Sequence, residues 1–166
     1  MSATTSPKET LHSNAQRWSA ALRASAQGPL LIAPSVLAVA EAWPSYRHEA
    51  DGRDCTTWLL ATLGKNLVWF RCRAAAVQKL GPWSAKMLHH DVALWVAGKV
   101  GSNQEIDLVK FALMKATKEW ATGACLSLGQ ARPVVAKALG LKPVAKKGCS
   151  RCAELEAKLR RLGEKV

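Results

Sequence analysis

The sequence predicts an all-α protein: a compact bundle of about six or seven short helices, then a basic linker and a short amphipathic C-terminal helix. Three observations predict it. Sustained alternation of apolar and polar residues is missing, as are hairpin dipeptides such as Asn-Gly. Ala and Leu dominate the segments between Gly, Pro and capping residues. Apolar residues recur at spacings of three and four.

Met1 to Lys8 is short and polar and reads as a disordered N-terminus, without the apolar core of a secretory signal. The first helix is expected over about Glu9 to Gln27, with Leu11, Ala15, Trp18, Leu22 and Ala26 on one stripe. Gly28-Pro29 is read as its stop. A second helix is expected to open near Pro34, to carry Val36 to Trp43 and to end before Pro44. Pro44 to Arg53 is polar and reads as a loop.

Asp54 is a good N-cap for a third helix, Cys55 to Leu63, and Gly64 suits the position after its end. Asn66 caps a fourth, Leu67 to Leu80, closed by Gly81. A fifth is expected from about Trp83 to Val100. A sixth, capped by Ser102 or Asn103, reaches to about Trp120. Ser127 opens a seventh that Gly140 closes; Pro133 inside it either kinks the helix or marks a later start near Arg132. The helical domain thus covers residues 9–140. Residues 141–149 read as a basic linker and residues 150–166 as a charged amphipathic helix.

The charge points to the class of partner. Lys and Arg number 24 against 12 Asp and Glu, a formal net charge of +12. Such an excess attracts polyanions, either nucleic acid or an anionic membrane surface. The most apolar stretch, Gly28 to Trp43, contains Pro29, Pro34 and Glu41 and is too short to span a bilayer. A cytoplasmic protein with no membrane partner is therefore expected, nucleoid-associated if it binds DNA. The five Cys are odd in number, and Cys55, Cys72 and Cys125 are scattered in apolar helical contexts. Reduced, buried thiols are expected at these three, not a disulfide framework.

The expected third and fourth helices, joined around Gly64, make a helix-turn-helix shape. Leu59 and Leu63 would pack inward from the first, Phe70 and Val77 from the second. The second would show Lys65, Asn66, Arg71, Arg73, Gln78 and Lys79, with no acidic residue from Lys65 to Leu80. Arg reads guanine bidentately, Asn and Gln read adenine, and Lys neutralises phosphate. Six positions spread over fifteen do not share one face, so some of them must turn inward. A basic solvated helix pair has the same pattern, and the shape is too common to identify a family.

The tail adds three features. Lys142, Lys146, Lys147 and Arg151 form a basic arm suited to sequence-independent phosphate contacts. Cys152, Leu155, Leu159, Leu162 and Val166 follow a 3-4-3-4 spacing, two heptads of a seam for self-association or for docking on the domain. Cys149 and Cys152 supply half of a tetrahedral zinc site, complete only if a second ligand pair is supplied, as by two tails in a parallel dimer. Idle thiols and a redox dithiol are the alternatives; the latter lacks a βαβ context. No other cofactor is expected.

The seven Trp, against two Phe and one Tyr, are expected to anchor the core, with Trp69-Phe70-Arg71 the best candidate for stacking on a single-stranded base. His89-His90-Asp91 reads as a solvated helix edge, because adjacent His on a helix point in different directions; such a pair could titrate near neutral pH. Phosphate loops, dinucleotide fingerprints, His-Glu-x-x-His and Gly-x-Ser-x-Gly are all missing, and the carboxylates are dispersed. A non-enzymatic function is expected. The leading reading is a DNA-binding protein, a small bacterial, phage or plasmid transcription regulator or architectural factor, acting as a homodimer. The alternatives are a protein-interaction or scaffolding module using the C-terminal helix, and an RNA- or single-strand-binding protein.

Overall fold

The computed structural model describes residues 10–119 and 125–141. They form eight α-helices and one short 3-10 turn, with no strand among the described residues. The expected all-α class holds.

Helix α1 spans Leu11–Ala24, opened by Thr10, whose hydroxyl accepts from the Ser13 N–H at 3.2 Å. Its expected stripe faces inward: Leu11, Ala15 and Trp18 are buried, and Leu22 is half-buried. Helix α2 spans Gly28–Glu41 and corrects the expected start near Pro34. Pro29 lies in its first turn, where a missing N–H loses nothing, so Gly28-Pro29 opens a helix here. Pro34 then stands inside the helix, where its ring removes one hydrogen bond on the exposed side. Burial of Leu30, Ile32, Ala33, Val36 and Val39 offsets that loss.

The 3-10 turn Trp43–Ser45 begins the stretch expected to be a polar loop. It is a loop, but Trp43, Tyr46 and Ala50 turn their side chains into the core. Helices α3, Cys55–Leu63, and α4, Leu67–Leu80, fall where the sequence places them. The expected fifth helix is two: α5, Pro82–Met87, and α6, His90–Ala97. Leu88 and His89 are extended between them, with ψ of 142° and 141°. The His90 N–H donates to the Ala26 carbonyl at 3.1 Å, a tertiary bond in place of a helical one. Leu88 meanwhile is driven into the core.

Helix α7 spans Asn103–Glu119. Ser102 Oγ accepts from the Glu105 N–H, and Glu105 Oε2 accepts from the Gly101 and Ser102 N–H groups, a reciprocal cap. Helix α8 spans Leu128–Ala138 behind a capping box of Ser127 and Gln130. It starts at Leu128, so Pro133 lies within it and does not begin it.

The core has two lobes. One gathers α1, α2, α3 and the N-terminal half of α4 around Trp18, Val36, Trp58 and Phe70. The other gathers α5 to α8 and the end of α4 around Leu88, Val92, Val96, Val109, Leu113 and Val135. Helices α2 and α4 contribute to both and make the most extensive helix pair, so α4 is a beam running through the bundle. No helix among the described residues is long and apolar enough to cross a membrane.

Candidate nucleic-acid interface and the Arg73 junction

The α3–turn–α4 unit is defined at each end by side chains. Asp54 accepts from the Thr57 N–H at 3.0 Å and from the Thr57 hydroxyl at 2.5 Å, and these bonds hold its carboxyl below the usual carboxylate range. Gly64, with φ +66°, takes the left-handed turn that ends α3. Asn66 Oδ1 accepts from the Trp69 N–H at 2.8 Å and starts α4. The turn is Gly64-Lys65-Asn66, a length that suits a helix-turn-helix. The bracing differs from the expectation, because α4 leans mainly on α2 and α6, with α3 a lesser neighbour. Leu59 and Phe70 are buried as expected, and Leu63 and Val77 are half-buried.

The burial of α4 sorts the six expected contact residues. Phe70, Arg73, Ala76 and Leu80 form its inner face. Val68, Arg71, Cys72, Ala75, Gln78 and Lys79 form an exposed stripe, with Lys65 and Asn66 exposed just before it. Arg71 and Gln78 make no hydrogen bond or ion pair among the described residues. Lys79 Nζ donates to the Ala97 carbonyl at 2.7 Å, at the C-terminal end of α6. Lys65 Nζ lies 5.3 Å from the Trp69 ring centroid. Cys72, expected buried, is on the exposed stripe.

Arg73 is the member that turns inward. It is 5% exposed and ties α4 to α6. Its guanidinium carbon lies 3.4 Å from the Trp69 ring centroid, and its Nη1 donates to the Trp69 carbonyl at 3.0 Å. Nη2 lies 3.0 Å from His90 Nδ1 and 3.5 Å from Asp91 Oδ1. Its Nε is buried and has no hydrogen-bond partner among the described residues. Burial pulls the guanidinium below its usual value while Asp91 opposes the shift, and the group stays cationic. Burial also lowers His90, again against Asp91. Arg73 is thus removed from the surface expected to meet a nucleic acid. The signal that could have found this is its spacing of three from both Phe70 and Ala76, which places all three on one face.

The aromatic expectations divide. Trp18, Trp43 and Trp58 are buried anchors, while Trp69, Trp83 and Trp95 are half-buried. In the Trp69-Phe70-Arg71 run, Phe70 is fully buried and Trp69 is half-buried with Arg73 on its ring, so only Arg71 is fully exposed. Both half-buried thiols, Cys55 and Cys125, are shifted toward the protonated form. Burial, then the Asp54 carboxylate, push Cys55 up to about 11 against Arg71, and burial raises Cys125 although Gln27 donates to its sulfur.

His89-His90-Asp91 stands out in the sequence but reads there as a helix edge with diverging rings. His89 lies outside α6, so the two rings sit 4.5 Å apart, not on diverging helical positions. Two surface hollows lie away from the α4 stripe. One, of about 500 Å3, lies between α7 and α8 beside Phe111 and Val134. The other, of about 420 Å3, is bounded by Leu11, Glu49 and Trp58. Lys142, Lys146, Lys147, Arg151, Cys149, Cys152, Leu155, Leu159, Leu162 and Val166 lie outside the described residues. Comparisons with protein-family models, curated proteins and solved structures give no match.

Proposed function

We propose that this protein binds double-stranded DNA through the exposed stripe of α4, as a small regulator or architectural factor. One observation carries the reading. The outward face of a well-braced helix holds Arg71 and Gln78, which have no hydrogen-bond or ion-pair partner among the described residues and are separated by the small Cys72 and Ala75. Lys65 and Asn66 stand at its start and Lys79 at its end, and the helix has no carboxylate. Small residues let a helix approach the floor of a major groove, while Arg and Gln offer donors to base edges. The +12 charge supplies the sequence-independent attraction. In this reading Arg73 is not a contact; it holds α4 on α6. The arm of Lys142, Lys146, Lys147 and Arg151 adds phosphate contacts, and Leu155, Leu159, Leu162 and Val166 pair two copies.

Fluorescence anisotropy with labelled duplex and single-stranded DNA, each titrated at low and moderate salt, tests the proposal. Duplex binding that weakens steeply with salt is expected. The double variant Arg71→Ala with Gln78→Ala should bind about tenfold or more weakly with unchanged helical circular dichroism, since each base-edge pair contributes about 1–3 kcal/mol. Preference for the single strand would move the reading to stacking. No binding to either at low salt would exclude a nucleic-acid role.

A further inference from the structure

The break between α5 and α6 brings three metal-ligating groups together. Because Leu88 and His89 are extended, the His89 ring lies beside that of His90, its centroid 4.5 Å away. One ring nitrogen of His89, one of His90 and a carboxylate oxygen of Asp91 all lie within 4.8 Å of one another. The individual separations include 2.9 Å from His90 Nδ1 to Asp91 Oδ1 and 3.9 Å from His89 Nδ1 to Asp91 Oδ2.

The hydrogen bonding within this group is contradictory. The Asp91 backbone N–H, which can only donate, lies 3.2 Å from His89 Nδ1, so that nitrogen is bare. The Arg73 Nη2, also only a donor, lies 3.0 Å from His90 Nδ1. If His90 Nδ1 accepts from Arg73, its lone pair meets Asp91 Oδ1 at 2.9 Å, acceptor against acceptor. If it carries a proton and donates to Asp91, it meets Arg73 donor against donor. With Asp91 ionised, neither state of His90 Nδ1 satisfies both contacts. A cation held between the ring nitrogens and the carboxylate uses all three sets of lone pairs, with His89 Nδ1 giving up the Asp91 N–H to bind it.

We propose that His89, His90 and Asp91 bind a divalent transition metal of the zinc class through the two Nδ1 atoms and the Asp91 carboxylate. Two imidazoles and one carboxylate suit zinc, cobalt or nickel better than calcium or magnesium, which take oxygen donors. Arg73 Nη2, 3.5 Å from Asp91 Oδ1, then positions the ligating carboxylate and gives up the His90 nitrogen. Its fixed charge weakens the site, and the carboxylate between them offsets part of that repulsion. Asp91 and His89 are 55% and 36% exposed at the side chain, which leaves an entry path and room for water in the remaining positions. The metal would clamp the first turn of α6, which Arg73 joins to α4.

The test uses the full chain with Cys149→Ser and Cys152→Ser, so that tail thiols do not compete. Zinc sulfate is titrated by calorimetry and followed by NMR of the histidine side chains. One equivalent of zinc per chain is expected, with resonance shifts at His89 and His90 and none at His12 or His48. His89→Ala and Asp91→Asn should each weaken binding about tenfold or more. Both substitutions fall on partly exposed side chains, and circular dichroism checks their fold. If either variant fails to fold, the assigned resonances of the parent chain decide alone. Absence of binding, shifts confined to His12 and His48, or affinity unchanged in both folded variants would overturn the proposal.

Discussion

Arg73 lies against the face of Trp69, its guanidinium carbon 3.4 Å from the ring centroid, and donates to the carbonyl of the same residue at 3.0 Å. One residue thus receives both a cation–π contact and a hydrogen bond from the next turn of its own helix. Arg73 then reaches across to His90 and Asp91 on α6. Desolvated cation–π contacts contribute about 2 kcal/mol and charged hydrogen bonds about 1.5–3 kcal/mol. Because the contacts are not additive, Arg73→Ala should cost about 2–4 kcal/mol in urea unfolding. Arg73→Lys should recover only part, since an ammonium lacks the planar fork. Arg71→Ala, two residues earlier and exposed, should change stability by no more than about 0.5 kcal/mol. Equal, small effects at the two positions would contradict the structural role of Arg73.

Arg73 and its neighbours also show where local signals end. Both boundaries of α3 and of α4 were legible because Asp54, Gly64, Asn66 and Gly81 act through bonds and dihedrals within a few residues. The inward turn of one arginine was legible in kind, since six positions could not share a face, but its identity needed α6 as a partner. The α5–α6 break was not legible. Leu88-His89 carries no breaker residue, and the His90 N–H is taken by Ala26, more than sixty positions away along the chain. The same break brings the His89 and His90 rings together, so a continuous helix made the two read as diverging. Gly28-Pro29 was read as an end when it is a beginning, because the dipeptide suits either side of a helix boundary.

Two glycines should fail for different reasons when replaced by alanine. At Gly28 the added Cβ would fall 2.0 Å from the Ala21 carbonyl oxygen, so α1 and α2 would have to part. Overpacking of this kind costs about 1–3 kcal/mol and here involves backbone, which yields poorly. At Gly64 nothing lies within 4 Å, but φ is +66°. The cost there is the left-handed conformation, about 1–2 kcal/mol. Gly64→Asn should therefore be milder than Gly64→Ala, because Asn tolerates that region, whereas Gly28→Asn should be no better than Gly28→Ala. Thermal unfolding of the four variants checks the pattern.

Asn66 separates stability from the proposed binding. Its Oδ1 caps α4 at 2.8 Å, so Asn66→Ala should lose about 1 kcal/mol. Asn66→Asp keeps the capping oxygen and suits the positive end of the helix dipole, so it should be at least as stable as the parent. It also places a negative charge beside Lys65 at the start of the exposed stripe. If that stripe meets DNA, Asn66→Asp should bind duplex more weakly than the parent while unfolding at the same or a higher temperature. Parallel changes in both quantities would mean the helix start does not approach phosphate.

Acid should act on α3 through Asp54. Its carboxylate accepts two bonds from Thr57, and these lower its pKa in the folded chain. A group depressed by folding contributes stability above its unfolded pKa. That contribution is lost as pH falls through the folded value, because the unfolded chain takes up the proton more readily. The window therefore opens below about pH 4. Asp54→Asn keeps a side-chain oxygen to cap the Thr57 N–H but has nothing to titrate there. The gap in melting temperature between the parent and Asp54→Asn should thus move in favour of the variant as pH is lowered from 5 toward 3. Other carboxylates titrate in both proteins and cancel in the difference. A gap that stays constant over that range would show that the Thr57 bonds do not distinguish the ionised carboxylate from the neutral amide, and that α3 is held by its packing alone.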